Sequence, residues 1–171
     1  MDDGLRAELL RRVETDQVAR KALDGEAMRD ADGENLPWLK GVIAAHGWPG
    51  ASLVGTDGAH AAWLLAQHAP PELQEECLPL LEDAVTRGDA SPADLAYLRD
   101  RVLVHRGEPQ LYGTQYLERD GVLELRPVRD PAGLDERRAA LGLPPEAENR
   151  ARLLRARKPG GQPKDEEPAG G

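Results

Sequence analysis

The sequence predicts a mainly α fold, a compact helical domain around one central apolar helix with a single β-hairpin. Residues 59–69 are apolar on nearly every side, because five alanines are interspersed with Trp63, Leu64 and Leu65, so a helix here belongs in the interior. After residue 110 the apolar residues tend to recur at every second position, and an Asp-Gly dipeptide separates two such runs. This pattern is typical of a two-residue turn and predicts a hairpin near residues 114–127.

Length and composition favour one folded domain over residues 1–157. The remaining segment, residues 158–171, is mostly Pro, Gly and charged residues and is predicted to be a disordered tail. The net charge of −9 is spread along the chain and would repel a phosphate backbone, so nucleic acid is not an expected partner. No segment reaches the ~20 apolar residues of a membrane span and no secretory leader is evident, so we expect an acidic, cytoplasmic protein without membrane contact.

Two helices are predicted in the first third of the chain. Apolar residues at intervals of four indicate a first helix over residues 4–28, followed by a polar turn at residues 29–34. Asn35 is a suitable cap for a second helix over residues 36–46. Gly47 would end this helix, since glycine readily adopts the positive φ common at helix C-termini.

The middle of the chain contains the central helix and two more helices. Trp48 is expected to fill the core from a loop, and residues 52–55 to form a short extended link into the central helix. Two prolines end that helix, and residues 72–87 form the next one. Ser91 caps a further helix, with proline at its first position, that Gly107 stops.

The C-terminal third contains the hairpin and two short helices. Pairing Arg119 with Val122 across the turn sets the strand register. A short helix that Gly142 terminates is predicted after Gly133, and a last one over residues 145–157.

No sequence motif identifies a reaction. The chain lacks a glycine-rich phosphate loop, a Gly-x-Ser-x-Gly elbow and a His-Glu-x-x-His metal motif. Its four histidines lack the spacing that lets one helix face bind a metal, so we predict no metal and no cofactor, with a metal site assembled from distant segments as the alternative. Cys77 is the sole cysteine, and its acidic neighbours favour a packed structural role over a thiolate nucleophile.

Gln67 and His68, at the end of the central helix, mark the candidate site. A buried polar side chain without a partner costs about 1–3 kcal/mol, so other segments must bring polar groups to meet this pair. We predict a pocket there, with His68 in reach of at least two residues of the set Asp16, Asp100, Arg101, Tyr112 and Gln115.

Further polar residues extend this candidate site. Asp16, Gln17 and Arg20 lie on one side of the first helix, where Asp16 and Arg20 could equally form a surface ion pair. Tyr112, Thr114 and Gln115 lie at the entry to the hairpin. These residues are interpreted as substrate-binding together with Gln67.

Set side by side, several short segments resemble a bacterial family known only as a domain of unknown function. They are Gly47-Trp-Pro49, Gln67-His68, Ala96-Tyr-Leu-Arg-Asp-Arg101 and Gln110-Leu-Tyr-Gly-Thr-Gln115, together with Asp16-Gln17, Arg20, Asp130, Asp135 and Arg137-Arg138. The resemblance covers about residues 5–150. It implies a shared fold and a shared polar cluster, and it implies no reaction.

Two functions remain open from the sequence. The first is an enzyme for a small polar or peptide-like substrate, with His68 as general acid or base. Asp100 or Asp16 would orient the imidazole, and Arg101 or Arg20 would bind a carboxylate or oxyanion. The second is a binding or interaction module with a protein partner, such as an immunity or accessory protein, in which the polar cluster only holds the fold together.

Overall fold

The structure, a computed structural model, describes residues 1–157. They form seven α-helices, a two-stranded antiparallel sheet and one 3-10 turn. In chain order these are α1 Asp3–Lys21, α2 Gly25–His46, α3 Ala51–His68, α4 Pro71–Thr86, α5 Pro92–His105, β1 Tyr116–Arg119, β2 Val122–Leu125, the 3-10 turn Pro131–Gly133, α6 Leu134–Ala139 and α7 Glu146–Arg157. The predicted mainly α fold with one hairpin is confirmed. The tail predicted at residues 158–171 lies outside the described residues.

Helix α3 lies in the centre, as its composition predicts. It packs against α1, α2, α4 and α5, and its alanines allow these helices to approach closely. Trp48 enters the core from the loop before α3 and is only 5% exposed.

On α4, Cys77 is fully buried, and this burial, reinforced by the charge of Glu76, raises the pKa of its thiol to about 12. A thiol in this setting stays protonated at neutral pH, which agrees with a structural role.

The boundary between the first two helices differs from the prediction. Helix α1 ends at Lys21, and residues 25–46 form one continuous helix, so the polar turn predicted at residues 29–34 is wrong. Asp24 caps α2 by accepting hydrogen bonds from the amides of Glu26 and Ala27. Pro37 inside this helix removes one hydrogen bond on an exposed side, where water can replace it. The helix continues because its polar residues find partners on α1, which sequence patterning alone does not reveal.

The start of α3 also differs. Residues 51–54 form a helical turn in place of the predicted extended link, and the chain kinks at Gly55, where φ is 74° and ψ is 165°. The side chain and carbonyl of Asp89, in the α4–α5 loop, accept the first amides of α3, those of Ala51 and Ser52. A distant loop thus caps this turn, and the kink needs a residue that tolerates positive φ.

The hairpin has the predicted register. Arg119 pairs with Val122, and Tyr116 pairs with Leu125. Both turn residues, Asp120 and Gly121, have positive φ, as a type I′ turn requires. Leu123 is the buried residue of β2 and attaches the hairpin to the domain.

Candidate functional site

His68 meets Asp16 where the end of α3 crosses α1. The Nδ1 atom of His68 lies 2.8 Å from Oδ2 of Asp16, and the His68 side chain is 19% exposed while that of Asp16 is 1% exposed. The contact has the distance of an ion pair, although its alignment is not that of a linear hydrogen bond. The pairing of Asp16 with Arg20 is therefore part of a buried cluster and not a solvated surface pair.

Three further side chains complete this cluster. Arg20 donates from Nε to Oδ1 of Asp16 at 2.8 Å and from Nη2 to Oδ1 of Asp32 at 2.6 Å. Gln17 donates from Nε2 to Oδ2 of Asp16 at 3.2 Å. The buried carboxylate of Asp16 is thus bound by an imidazole, a guanidinium and an amide.

The charge state of Asp16 follows from opposing influences. Burial acts to raise the pKa of its carboxyl, but the contacts with His68 and Arg20 outweigh burial and hold the pKa below its ordinary value. Asp16 is therefore ionised at neutral pH and faces His68 as an anion.

A cavity of about 310 Å³ opens beside His68. Its polar lining is formed by Asp16, Asp32, Asn35 and His68, and its apolar lining includes Leu36, Leu39 and Leu65. Apolar walls with a few converging polar groups are typical of small-molecule sites. A cavity therefore lies at the C-terminal end of the central helix, where the sequence predicts a pocket.

The sequence prediction missed Asp32 and Asn35. The sequence patterns place Asp32 in a turn and indicate Asn35 as a helix cap. In the structure both lie on α2, where Asn35 is buried and its Oδ1 accepts a hydrogen bond from Arg12 at 3.1 Å. Ala31, Asn35 and Leu39 are spaced by four and are all buried on α2, but the polar Asn35 interrupts this row as an apolar pattern.

Asp100 lies beneath the loop before the hairpin and is fully buried. Its carboxylate accepts hydrogen bonds from the amides of Leu111, Tyr112 and Thr114 and from the Thr114 hydroxyl, at 2.7 to 3.1 Å. Burial raises the pKa of this carboxyl, and the four donors oppose that rise. Of the two acids proposed to orient His68, Asp16 makes the contact and Asp100 holds the loop.

The remaining predicted substrate-binding residues lie in or beside this loop. Thr114 is buried, and Gln115 donates from Nε2 to the Thr114 hydroxyl at 3.0 Å. Tyr112 is half-buried, and its hydroxyl interacts with Arg99. Of the five residues predicted around His68, Asp16 alone is paired with it within the described chain.

Two consecutive arginines of α6 hold the same loop from the other side. Arg137 donates from Nε to the carbonyl of Leu111 at 2.9 Å. Arg138 is fully buried and donates to the carbonyls of Tyr112 and Gly113. The loop is thus fixed by side chains from α5 and α6.

Gln67 is buried and Arg101 is partly buried, and each has a polar side-chain atom without a partner in the described chain. The Nε atom of Arg101 and the Nε2 atom of Gln67 are shielded from solvent and have no hydrogen-bond partner among residues 1–157. Burial and the nearby charge of Arg20 lower the pKa of the Arg101 guanidinium. Neither Arg101 nor Gln67 is part of the lining of the cavity beside His68.

A second histidine–carboxylate pair lies elsewhere on α3. Nδ1 of His60 is 2.9 Å from Oδ2 of Asp94, and the His60 ring packs on Trp63 with centroids 4.9 Å apart. The His60 side chain is 53% exposed, so solvent screens the pair. Asp94 raises the pKa of His60 despite partial burial.

This pair predicts a pH dependence of stability. Because the pKa of His60 is higher in the folded than in the unfolded state, its stabilisation is complete below the unfolded value of about 6.5 and is lost as pH rises through the raised value. The melting temperature of the wild type should exceed that of His60→Gln at about pH 5, and this excess should shrink by about pH 9. A thermal melt series at low salt measures it, with His46→Gln, at an exposed position, as control. If the difference in melting temperature between the wild type and His60→Gln did not change with pH, the predicted contribution of the His60–Asp94 pair would be wrong.

None of the described helices combines the length and the apolar character needed to cross a membrane. Comparisons with curated proteins and with solved structures gave no match. The comparison with family models gave one that covers nearly the whole described chain. The resemblance inferred from the sequence is thereby confirmed, and the chain belongs to the family described as "Family of unknown function (DUF6624)", whose model matches residues 3–158.

Proposed function

We propose that the protein is an enzyme that acts on a small polar or peptide-like substrate, with His68 as general acid or base. One observation carries this proposal. The imidazole of His68 lines the cavity and has its Nδ1 atom on the buried carboxylate of Asp16. Imidazole is suited to moving protons near neutral pH, and a carboxylate on one ring nitrogen is a common way to prepare it.

Asp16 determines which nitrogen is reactive. An ionised carboxylate beside Nδ1 favours the tautomer protonated at Nδ1, which leaves the lone pair on Nε2 for a substrate proton. The same carboxylate stabilises the imidazolium formed after proton transfer. Arg20 bridges Asp16 and Asp32 and so fixes the Asp16 carboxylate in place.

Arg20 acts as a positioning residue in this proposal. Its guanidinium already binds two carboxylates, so it is not free to bind a substrate carboxylate. Asp32 and Asn35, on the cavity wall, offer hydrogen bonds to a polar substrate. The loop of Tyr112 and Gln115 is assigned a supporting role, because most of its polar groups bind within the protein.

The second candidate is a binding or interaction module without chemistry. It is favoured by the extent to which Asp16 is satisfied, since a carboxylate bound by His68, Arg20 and Gln17 forms a complete structural cluster. In that case His68 would contribute to stability and to no reaction.

A comparison of two histidine variants distinguishes these functions. The wild type, His68→Gln and His46→Gln are incubated with a mixture of short peptides and cellular small molecules, and conversion is followed by mass spectrometry. The enzyme proposal predicts that the wild type and His46→Gln convert a component, and that His68→Gln does so about 10²–10⁴-fold more slowly with a nearly unchanged melting temperature. A stability loss of about 1–3 kcal/mol in His68→Gln, without any conversion by the wild type, would support the module instead.

A further inference from the structure

The cavity beside His68 is lined by two acids and by no basic residue other than this histidine. Asp16 and Asp32 are the carboxylates of its lining, which contains neither arginine nor lysine. Arg20 binds both of these acids and is not part of the lining. An anionic ligand would therefore meet carboxylates without a free countercharge, whereas a cationic ligand would be attracted.

Asp32 provides the carboxylate oxygen that a ligand can reach. Its Oδ1 accepts a hydrogen bond from Arg20 at 2.6 Å, and its Oδ2 accepts none within the described chain. The Asp32 side chain is 43% exposed and lines the cavity. Both oxygens of Asp16, by contrast, are engaged by Arg20, Gln17 and His68. Oδ2 of Asp32 is therefore the acceptor available for a cationic group.

Asn35, three residues after Asp32 on α2, supplies a hydrogen-bond donor to the same cavity. The residue is only 8% exposed and lines the cavity. Its Oδ1 accepts from Arg12, whereas its Nδ2 has no partner in the described chain and is not sealed from solvent. Residues three apart on a helix are neighbours on one face, so this amide lies beside the Asp32 carboxylate. The cavity thus offers an acceptor and a donor next to each other.

An ammonium group suits this cavity better than a metal cation does. No group of three or more His, Cys, Asp or Glu side chains in the described chain is arranged to hold a metal ion. Asp32 offers one free carboxylate oxygen, whereas Ca²⁺ takes about 6–8 oxygen ligands. An ammonium group donates at most about three hydrogen bonds, so one carboxylate oxygen and water satisfy it.

We propose that the ligand of the His68 site carries a protonated amine next to a carbonyl group, as the N-terminus of a peptide or an amino acid amide does. This inference rests on the proposed function and names its substrate class. The ammonium group donates to Oδ2 of Asp32, and the carbonyl oxygen accepts from Nδ2 of Asn35. An aliphatic side chain of the ligand packs against Leu36 and Leu39, which form part of the apolar wall. The cavity volume of about 310 Å³ is at the small end for ligand sites and suits a compound of this size.

Three small ligands separate the contributions of the amine and the carbonyl. L-leucinamide has both groups and an aliphatic side chain, N-acetyl-L-leucinamide lacks the charged amine, and 3-methylbutylamine lacks the carbonyl. Each is titrated into the wild type by isothermal titration calorimetry at constant ionic strength. N-acetyl-L-leucinamide should bind at least about tenfold more weakly than L-leucinamide, since it loses a hydrogen bond to a charged group. For 3-methylbutylamine, which loses a neutral hydrogen bond, the expected loss is about threefold to tenfold.

Asp32→Asn and Asp30→Asn form a matched pair of variants. Both remove one negative charge from α2, but Asp30 is exposed and is not part of the cavity lining. Asparagine keeps an oxygen for the donor of Arg20, so Asp32→Asn is expected to fold. Asp30→Asn should bind L-leucinamide like the wild type, and Asp32→Asn should bind it at least about tenfold more weakly.

Asn35→Asp tests the contact with the carbonyl group. This variant keeps the oxygen that accepts from Arg12 and replaces the donor Nδ2 with an acceptor. Its added negative charge acts on both free amines alike, so the ratio of their affinities reports the carbonyl contact. Asn35→Asp should therefore bind L-leucinamide no more tightly than 3-methylbutylamine.

Three results would overturn the inference. They are a wild type that does not bind L-leucinamide, a wild type that binds N-acetyl-L-leucinamide equally well, and equal affinities of Asp32→Asn and Asp30→Asn for L-leucinamide. The first two need no variant, so they decide the question even if Asp32→Asn does not fold.

His68→Gln distinguishes this inference from the proposed function. It should bind L-leucinamide nearly as tightly as the wild type and lose conversion. If the wild type converts only compounds without a free amine, the inference is wrong and the proposed function stands. If L-leucinamide binds as expected but His68→Gln converts the substrate as fast as the wild type, the catalytic role of His68 is wrong and the inference stands.

Discussion

Replacing Asp100 with asparagine is expected to lower the free energy of unfolding by about 2–4 kcal/mol, because hydrogen bonds to a charged group contribute about 1.5–3 kcal/mol each and asparagine cannot keep all of them. Asp100 is fully buried, and its two oxygens accept from three amides and one hydroxyl between residues 111 and 114. An asparagine side chain offers only one acceptor oxygen. Its NH₂ group cannot accept a hydrogen bond, so it would face backbone amides that then have no acceptor. The loss is measured from urea unfolding followed by circular dichroism.

Asp83→Asn is the matched control for this prediction. Asp83 lies on α4, is exposed and carries the same chemical change, so its effect should stay within about 0.5 kcal/mol. Equal stability of the two variants would mean that Asp100 does not hold the loop. If the Asp100→Asn protein were fully stable but no longer converted the substrate, Asp100 would have a catalytic role.

Replacing Arg138 with methionine should lower the free energy of unfolding by about 2–4 kcal/mol. The variant leaves the carbonyls of Tyr112, Gly113 and Pro144 without their donors inside the protein, and each such loss costs about 1–3 kcal/mol before relaxation. Methionine keeps the apolar stem of arginine but lacks the guanidinium, so the loss combines the broken hydrogen bonds with the space that the guanidinium vacates.

Arg11→Met provides the comparison for Arg138→Met, because Arg11 lies on the surface in a pair with Glu8. Its effect should stay below about 1 kcal/mol. Denaturant unfolding of both variants measures the difference. If Arg138→Met unfolds at the wild-type midpoint, the guanidinium is not required for the loop and our account of the region is wrong.

The sequence predicted that polar residues would surround His68, but it did not predict which of them would contact it. His68 stands at the end of an apolar helix, and a buried imidazole there needs a polar contact. From the sequence, Asp16 and Asp100 were equally suitable as the carboxylate that contacts His68. The crossing of α1 with α3 decided for Asp16, because helix crossing points depend on packing between distant segments.

Local sequence determined the elements whose signals lie within a few residues. The Asp120-Gly121 turn adopts positive φ at both positions, and Ser91 with Pro92 begins α5 as a cap followed by proline. Each signal acts through the backbone of its own segment, so no distant contact is needed. The apolar composition of α3 likewise required an interior position.

Only the tertiary structure decided that α2 runs through residues 29–34 and that α3 begins at Ala51. The polar residues 29–34 read as a turn because nothing nearby buries them, but Arg20 pairs with Asp32 and Arg12 with Asn35 across the helix interface. Asp89 caps the first turn of α3 from another loop. These contacts join segments that are far apart in the chain. Their stabilisation overrides the local sequence preferences, which are worth a fraction of a kcal/mol per residue.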